Sequence, residues 1–154
     1  MPALLRSPSR LYKVVSVTEA VTWTGLLIGL FLKYVTETTE LAVSVFGMLH
    51  GIVFIAYCLT TVAIAIDQRW SFGRLVAGLA SSIPPLLTLW FDWYAERRGL
   101  LASQWRLVQE SPVRPLERPL AWLVRNPVRG LATGVASVAA LTVIALLVGP
   151  PVGG

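Results

Sequence analysis

Glu19 and His50 stand where charge is costly. Glu19 interrupts an otherwise apolar run, Val14–Leu32, while His50, the only histidine, lies with Tyr57 inside Leu41–Ile66, 26 residues without a charge. A carboxylate at a bilayer centre costs about 2.5–3.5 kcal/mol on insertion scales, and less towards the edge. Glu19 sits near the start of its run, so it must be protonated, paired or turned to a polar cavity. If the two runs form a hairpin turning near Thr36-Glu37, Glu19 is level with Phe54. His50 is then offset by about 6 Å along the axis and Tyr57 by about 4.5 Å, each within hydrogen-bond reach of Glu19. Such a set could relay a proton or hold a ligand headgroup. It could also be a buried polar clamp that fixes helix register, and the clamp is the expectation.

Other chemistry finds little support. A metal site needs further ligands, and Glu19 is the only credible second one beside His50, so none is expected; a single histidine can hold haem, but nothing else in the chain suggests a cofactor. Cys58 lies in the apolar run and reads as a small packing residue. No nucleophile–base pair and no phosphate-binding glycine loop stands out. The chain is therefore not expected to be an enzyme, lipid-directed or otherwise.

Only membrane helices can position these residues. Hydrophobic residues make up 55% of the 154 and charged ones 14%, well below the ~25% of soluble domains, and the mean hydropathy is +0.69. In lipid such segments must be helices, because an isolated strand leaves its backbone groups unsatisfied. Four apolar segments emerge: 14–32, 41–66, 72–91 and one from Pro127 to about Val148, which Gly149-Pro150-Pro151 ends. Asn126-Pro127 reads as an N-cap followed by a first helical position. Arg6, Arg10 and Lys13 before the first segment imitate a secretory signal, but the run is long and Lys33-Tyr34 stands where a cleavage site would be; an uncleaved anchor is expected. The fold class is thus an all-α polytopic bundle: a membrane core over 1–98, a basic connector over 99–126 and a C-terminal transmembrane helix over 127–154.

The third segment carries Pro84-Pro85 in its later half, and two considerations conflict there. If it spans, the loops at the two faces carry five and eight cations. If it enters and returns, twelve cations share one side and only Lys33 lies opposite, as the positive-inside rule favours. About 20 residues suffice to span, however, and re-entrant backbone needs protein or water around it. A kinked span with a cytoplasmic N-terminus is the expectation, in the cytoplasmic (inner) membrane.

Small residues recur at four-residue spacing: Gly25 and Gly29, Gly47 and Gly51, Gly130 and Gly134. They let helix backbones approach closely, within the bundle or against a membrane partner or second copy. In the connector, Leu101, Trp105 and Val108 fall on one helical face away from Arg97, Arg98 and Arg106. A basic helix on the membrane surface follows, broken by Pro112, Pro115 and Pro119. Its partners would be the bilayer and anionic lipid headgroups along Arg97–Arg129, not nucleic acid, because the cations adjoin apolar segments. Lys33, Trp70, Asp92 and Trp105 read as interfacial residues, with Trp93 and Trp122 as further anchors, and Asp92 could pair with Arg97.

Val15-Ser16, Glu19, Leu32-Lys33-Tyr34, Gly47-Met48-Leu49-His50-Gly51, Tyr57, Arg69-Trp70-Ser71, Pro84 and Phe91-Asp92 occur in an order and spacing that resembles the YdzA-like family, over about residues 11–98. The resemblance implies a small bacterial integral membrane domain of unknown function, frequent in actinobacteria, with three helical segments and no established activity. It directs attention to Glu19, Lys33, His50, Gly51, Tyr57, Trp70 and Asp92 without assigning them roles. The chain departs from the family at Ser81–Thr88, where a Pro-Phe-Gly-Thr-like turn is expected, and residues from Gly99 onward extend beyond its core. The functional expectation is a non-catalytic accessory protein or subunit of a membrane complex. The alternative is a small carrier or proton-coupled permeation unit using Glu19 and His50.

Overall fold

The computed structural model describes residues 3–149, and the terminal prolines and glycines expected beyond the last helix lie outside them from Pro150 on. It is helical, with no strand among the described residues. After the short α1 (Ala3–Arg6), Ser7 takes an extended conformation, accepts a bond from the Arg10 amide at 3.4 Å and so caps α2 (Pro8–Tyr34), with Pro8 at the first position. α2 is arranged inside out. Tyr12, Ser16, Glu19 and Thr22, spaced three or four apart, are buried, while Val14, Val17 and Val21 are exposed. That is the expected face of a membrane helix, apolar towards lipid and polar towards protein.

α3 (Leu41–Asp67) runs back against α2, and glycines on α2 set the approach. A Cβ on Gly29 would lie 2.8 Å from the Val43 amide nitrogen, and one on Gly25 2.2 Å from the Phe46 ring. Gly47 only faces Leu26, at 3.8 Å, and Gly51 has nothing within 4 Å. At this contact α2 supplies the glycines, and α3 answers with Ala42, Val43 and Phe46.

The third apolar segment does not span. α4 (Phe72–Ala80), capped by Ser71, and α5 (Leu87–Arg97) are nine and eleven residues long, about 14 and 17 Å, or half a hydrocarbon core. Between them the chain reverses. Trp23 Nε1 donates to the Ser82 carbonyl at 3.2 Å, which marks the tip near the middle of α2, and Lys13 Nζ meets Glu96 Oε2 at 3.5 Å back at the starting end. The kinked span expected from length gives way to a re-entrant hairpin, the form that charge asymmetry favoured. The reversal passes through Leu86, whose φ of 67° is left-handed, where glycine would be unstrained.

The connector is folded back rather than laid out as one surface helix. It holds α6 (Arg106–Gln109) and α7 (Glu117–Arg125), and it caps the end of the bundle where α3 stops and α4 starts. α8 (Pro127–Val148) leaves this cap along α3 and α7 with no buried residue. Among the described residues, α2, α3 and α8 are the three helices long and apolar enough to cross a membrane.

Candidate functional site

Glu19 is fully buried, and its partner comes from the hairpin. Thr88 Oγ1, near the start of α5, donates to Glu19 Oε2 at 2.6 Å and lies 3.4 Å from the Ser16 carbonyl oxygen. Glu19 Oε1 and Ser16 Oγ, one turn apart on the same buried face, have no hydrogen-bond partner among the described residues. Neither His50 nor Tyr57 hydrogen-bonds the carboxylate, contrary to the reach expected of them. Thr88 takes the position first, because the re-entrant hairpin wedges between the two helices.

His50 instead contacts α2 about one turn further along. Its Nδ1 lies 3.4 Å from Thr22 Oγ1, and its ring packs on Trp23 with centroids 4.5 Å apart. Tyr57 anchors the end of the first leg, where it enters the tip. Its hydroxyl lies 2.5 Å from that of Tyr12, donates to the Gly78 carbonyl at 3.0 Å and meets Ser81 Oγ at 2.9 Å. Gly78 is the point of closest approach, since a Cβ there would meet Thr61 and Phe91 at 3.0–3.1 Å. Thus Glu19 and Tyr57 hold opposite legs of one hairpin, and His50 holds α2 to α3 beyond its tip.

The residues read as interfacial divide. Lys33 pairs with Glu40 at 3.4 Å beside the α2–α3 turn. Trp70 and Trp105 are buried inside the protein, donating to the carbonyls of Leu100 at 3.0 Å and Leu5 at 2.8 Å. They fasten the cap rather than face headgroups, because the connector folds over them. Trp90, Trp93 and Trp122 are the exposed indoles. Asp92 is buried and does not pair with Arg97, which stacks 4.3 Å over Trp93 instead.

The cap contains a charge cluster that no sequence motif announces. Asp67, the last residue of α3, accepts from the Arg106 and Leu107 amides at 3.0 Å each and so caps α6. Glu117 is buried and accepts from Arg69 Nε at 3.0 Å, Arg106 Nη2 at 2.8 Å, and the amides of Val113 and Arg114 at 2.8 and 3.2 Å. Those donors, Arg69 foremost, pull the Glu117 carboxyl down to about 2. Arg125 donates to the carbonyls of Leu107 and Glu110. No group of three or more histidine, cysteine or carboxylate residues able to hold a metal occurs among the described residues.

Residues 9–97 match a family described as a domain of unknown function, DUF3817. That is the stretch carrying the resemblance, and the hairpin and its clamp lie within it, while the cap and α8 do not. A protein of Streptomyces coelicolor (strain ATCC BAA-471 / A3(2) / M145), described as a "putative membrane protein", is 45% identical over 93 residues. Those residues are 60% of this chain and 11% of that relative, so the chain covers only a small part of the relative's length. No solved structure matches.

Proposed function

The chain belongs to this DUF3817 family of membrane domains, and on that premise we propose that it is a non-catalytic accessory protein or subunit of a larger membrane assembly. The observation that carries the reading is the enclosure of Glu19. The one carboxylate that transport or catalysis would use is 0% exposed and bonded to Thr88, spent on holding the hairpin in place. His50 is turned to Trp23 and Thr22 rather than into a space shared with Glu19. Two further facts support an assembly role. α8 spans with no residue buried and leaves Gly134 with nothing within 4 Å, and a domain of this kind forms a small part of a much longer relative.

The protein sits in the cytoplasmic membrane with its N-terminus, cap and hairpin base in the cytoplasm. Three crossings and a re-entrant hairpin put twelve of thirteen cations on that side. Purification from native membranes in mild detergent tests the role: a partner membrane protein or a second copy should co-elute, and a protein that always elutes as a lone monomer overturns it. The carrier reading makes its own demand. Glu19→Gln and His50→Ala should abolish a pH-dependent flux in liposomes, and we expect no such flux to be lost.

A further inference from the structure

The cytoplasmic end carries a groove of about 420 Å³ between the end of α3, the first turns of α4 and the loop that precedes α7. Ala65, Ile66, Trp70, Leu75, Pro115 and Leu116 make its apolar floor, and Arg114 and Glu117 are its charged lining. The groove is open and mostly apolar, a volume within the range of small-ligand sites. Two features of charge decide what it fits. Glu117 lines the groove, but both its oxygens are taken by Arg69, Arg106 and two amides. Arg114 gives its amide to that carboxylate, while its guanidinium has no carboxylate partner among the described residues. The same holds of Arg74, beside Leu75, and Arg118. A guanidinium without a carboxylate partner thus lines the same groove as these apolar side chains.

Exposed apolar side chains adjoin these segments in the chain: Phe72, Val113 and Leu116 are 81%, 75% and 69% exposed. Where a spanning helix ends, such side chains meet the boundary between headgroups and acyl chains. A soluble anion would use the arginine and leave the floor bare, and a neutral lipid would do the reverse. We propose that the groove binds one anionic phospholipid, with its phosphate against Arg114 and an acyl chain along Ala65, Ile66, Leu75 and Leu116. This rests on the reading that the basic end lies at the cytoplasmic headgroups, and it gives that reading a defined lipid site.

The test is lipid retention by the full chain in detergent, which does not depend on orientation in a membrane. Native mass spectrometry with added phosphatidylglycerol should show one tightly retained lipid, and phosphatidylcholine should show none. Arg114→Gln should weaken retention roughly tenfold, the low end of what one charge-assisted bond is worth. Arg97→Gln, at the exposed arginine stacked on Trp93, should leave it unchanged. Leu116→Ser, at a side chain too exposed to matter for folding, should narrow the preference for long-chain over dihexanoyl phosphatidylglycerol. Equal losses with Arg114→Gln and Arg97→Gln would reduce the effect to general surface charge and overturn the site. Binding of inorganic phosphate as tight as that of the lipid, or indifference to chain length, would overturn it as a lipid site. Cysteine labelling at Ser103 from the outer face would sink the orientation while leaving this result standing.

Discussion

Replacing Thr88 by valine removes one hydroxyl from the interior and leaves both oxygens of the Glu19 carboxyl without a donor. Valine nearly matches threonine in shape, so no cavity opens and the cost is that of the lost bond. Glu19 and Thr88 are both 0% exposed, and Oε1 already lacks a partner, so nothing nearby replaces the donor. Orphaning a buried polar group costs about 1–3 kcal/mol. Side-chain bonds between membrane helices average nearer 0.6, with a maximum around 1.7. A 2.6 Å bond to a carboxyl belongs at the upper end of that membrane range, so about 1.5 kcal/mol is expected, roughly tenfold in the unfolding equilibrium. SDS titration in mixed micelles, followed by the fluorescence of the six tryptophans, reads it. A double-mutant cycle with Glu19→Gln isolates the pair and should give about 1 kcal/mol of coupling, and Thr88→Ser should restore most of the loss. A valine variant within about 0.3 kcal/mol of the parent, with no coupling, would refute the clamp.

The remaining expectations test other joints of the structure. Gly29→Ala should cost about 1–3 kcal/mol, because its methyl meets backbone at 2.8–2.9 Å, whereas Gly51→Ala should be neutral or stabilising; the same denaturation assay compares them. The Glu117 carboxyl has a folded value of about 2 against an ordinary 4.5, so its ionised form is favoured by folding. Its contribution is complete above about 4.5 and is lost as pH falls towards 2. Pepsin should therefore cut the cap increasingly across that window in the parent, and throughout it in Glu117→Gln. Leu86→Gly should relieve a left-handed leucine, for which the cost is about 1–2 kcal/mol, offset by glycine's greater freedom when unfolded. A net gain of up to about 1 kcal/mol is expected, and a loss would show that the Leu86 side chain packs usefully.

The spanning helices were legible because lipid imposes a rule that composition cannot hide. Leu41–Ile66, with no charge, became most of α3, and the Asn126-Pro127 signal opened α8 on the residue. The hairpin was half legible. Its cation asymmetry was in plain view, but about 20 apolar residues look alike whether they cross or return. Only tertiary partners such as Trp23 and Tyr57, which satisfy the tip and the end of the first leg, distinguish the two. The partner of Glu19 was out of reach for the same reason, since Thr88 lies 69 positions away and is brought close only by that reversal. A finer signal did exist: Tyr12, Ser16, Glu19 and Thr22 form a polar stripe at helical spacing, which in a membrane marks the protein-facing side. Trp70 and Trp105 misled because an indole near a helix end serves equally as headgroup anchor or as lock for a folded cap. The acids of the cap were hidden among arginines whose number suggested only a charged surface.

The half-length legs of the hairpin also bear on biogenesis. Nine and eleven residues are too few for insertion machinery to handle as spans, and their polar tip has no satisfied place in bare lipid. The hairpin must therefore dock after α2 and α3 have paired, its threonine finding a carboxylate already in position. Until it docks, Glu19 has no hydroxyl donor on the open side of the α2–α3 pair.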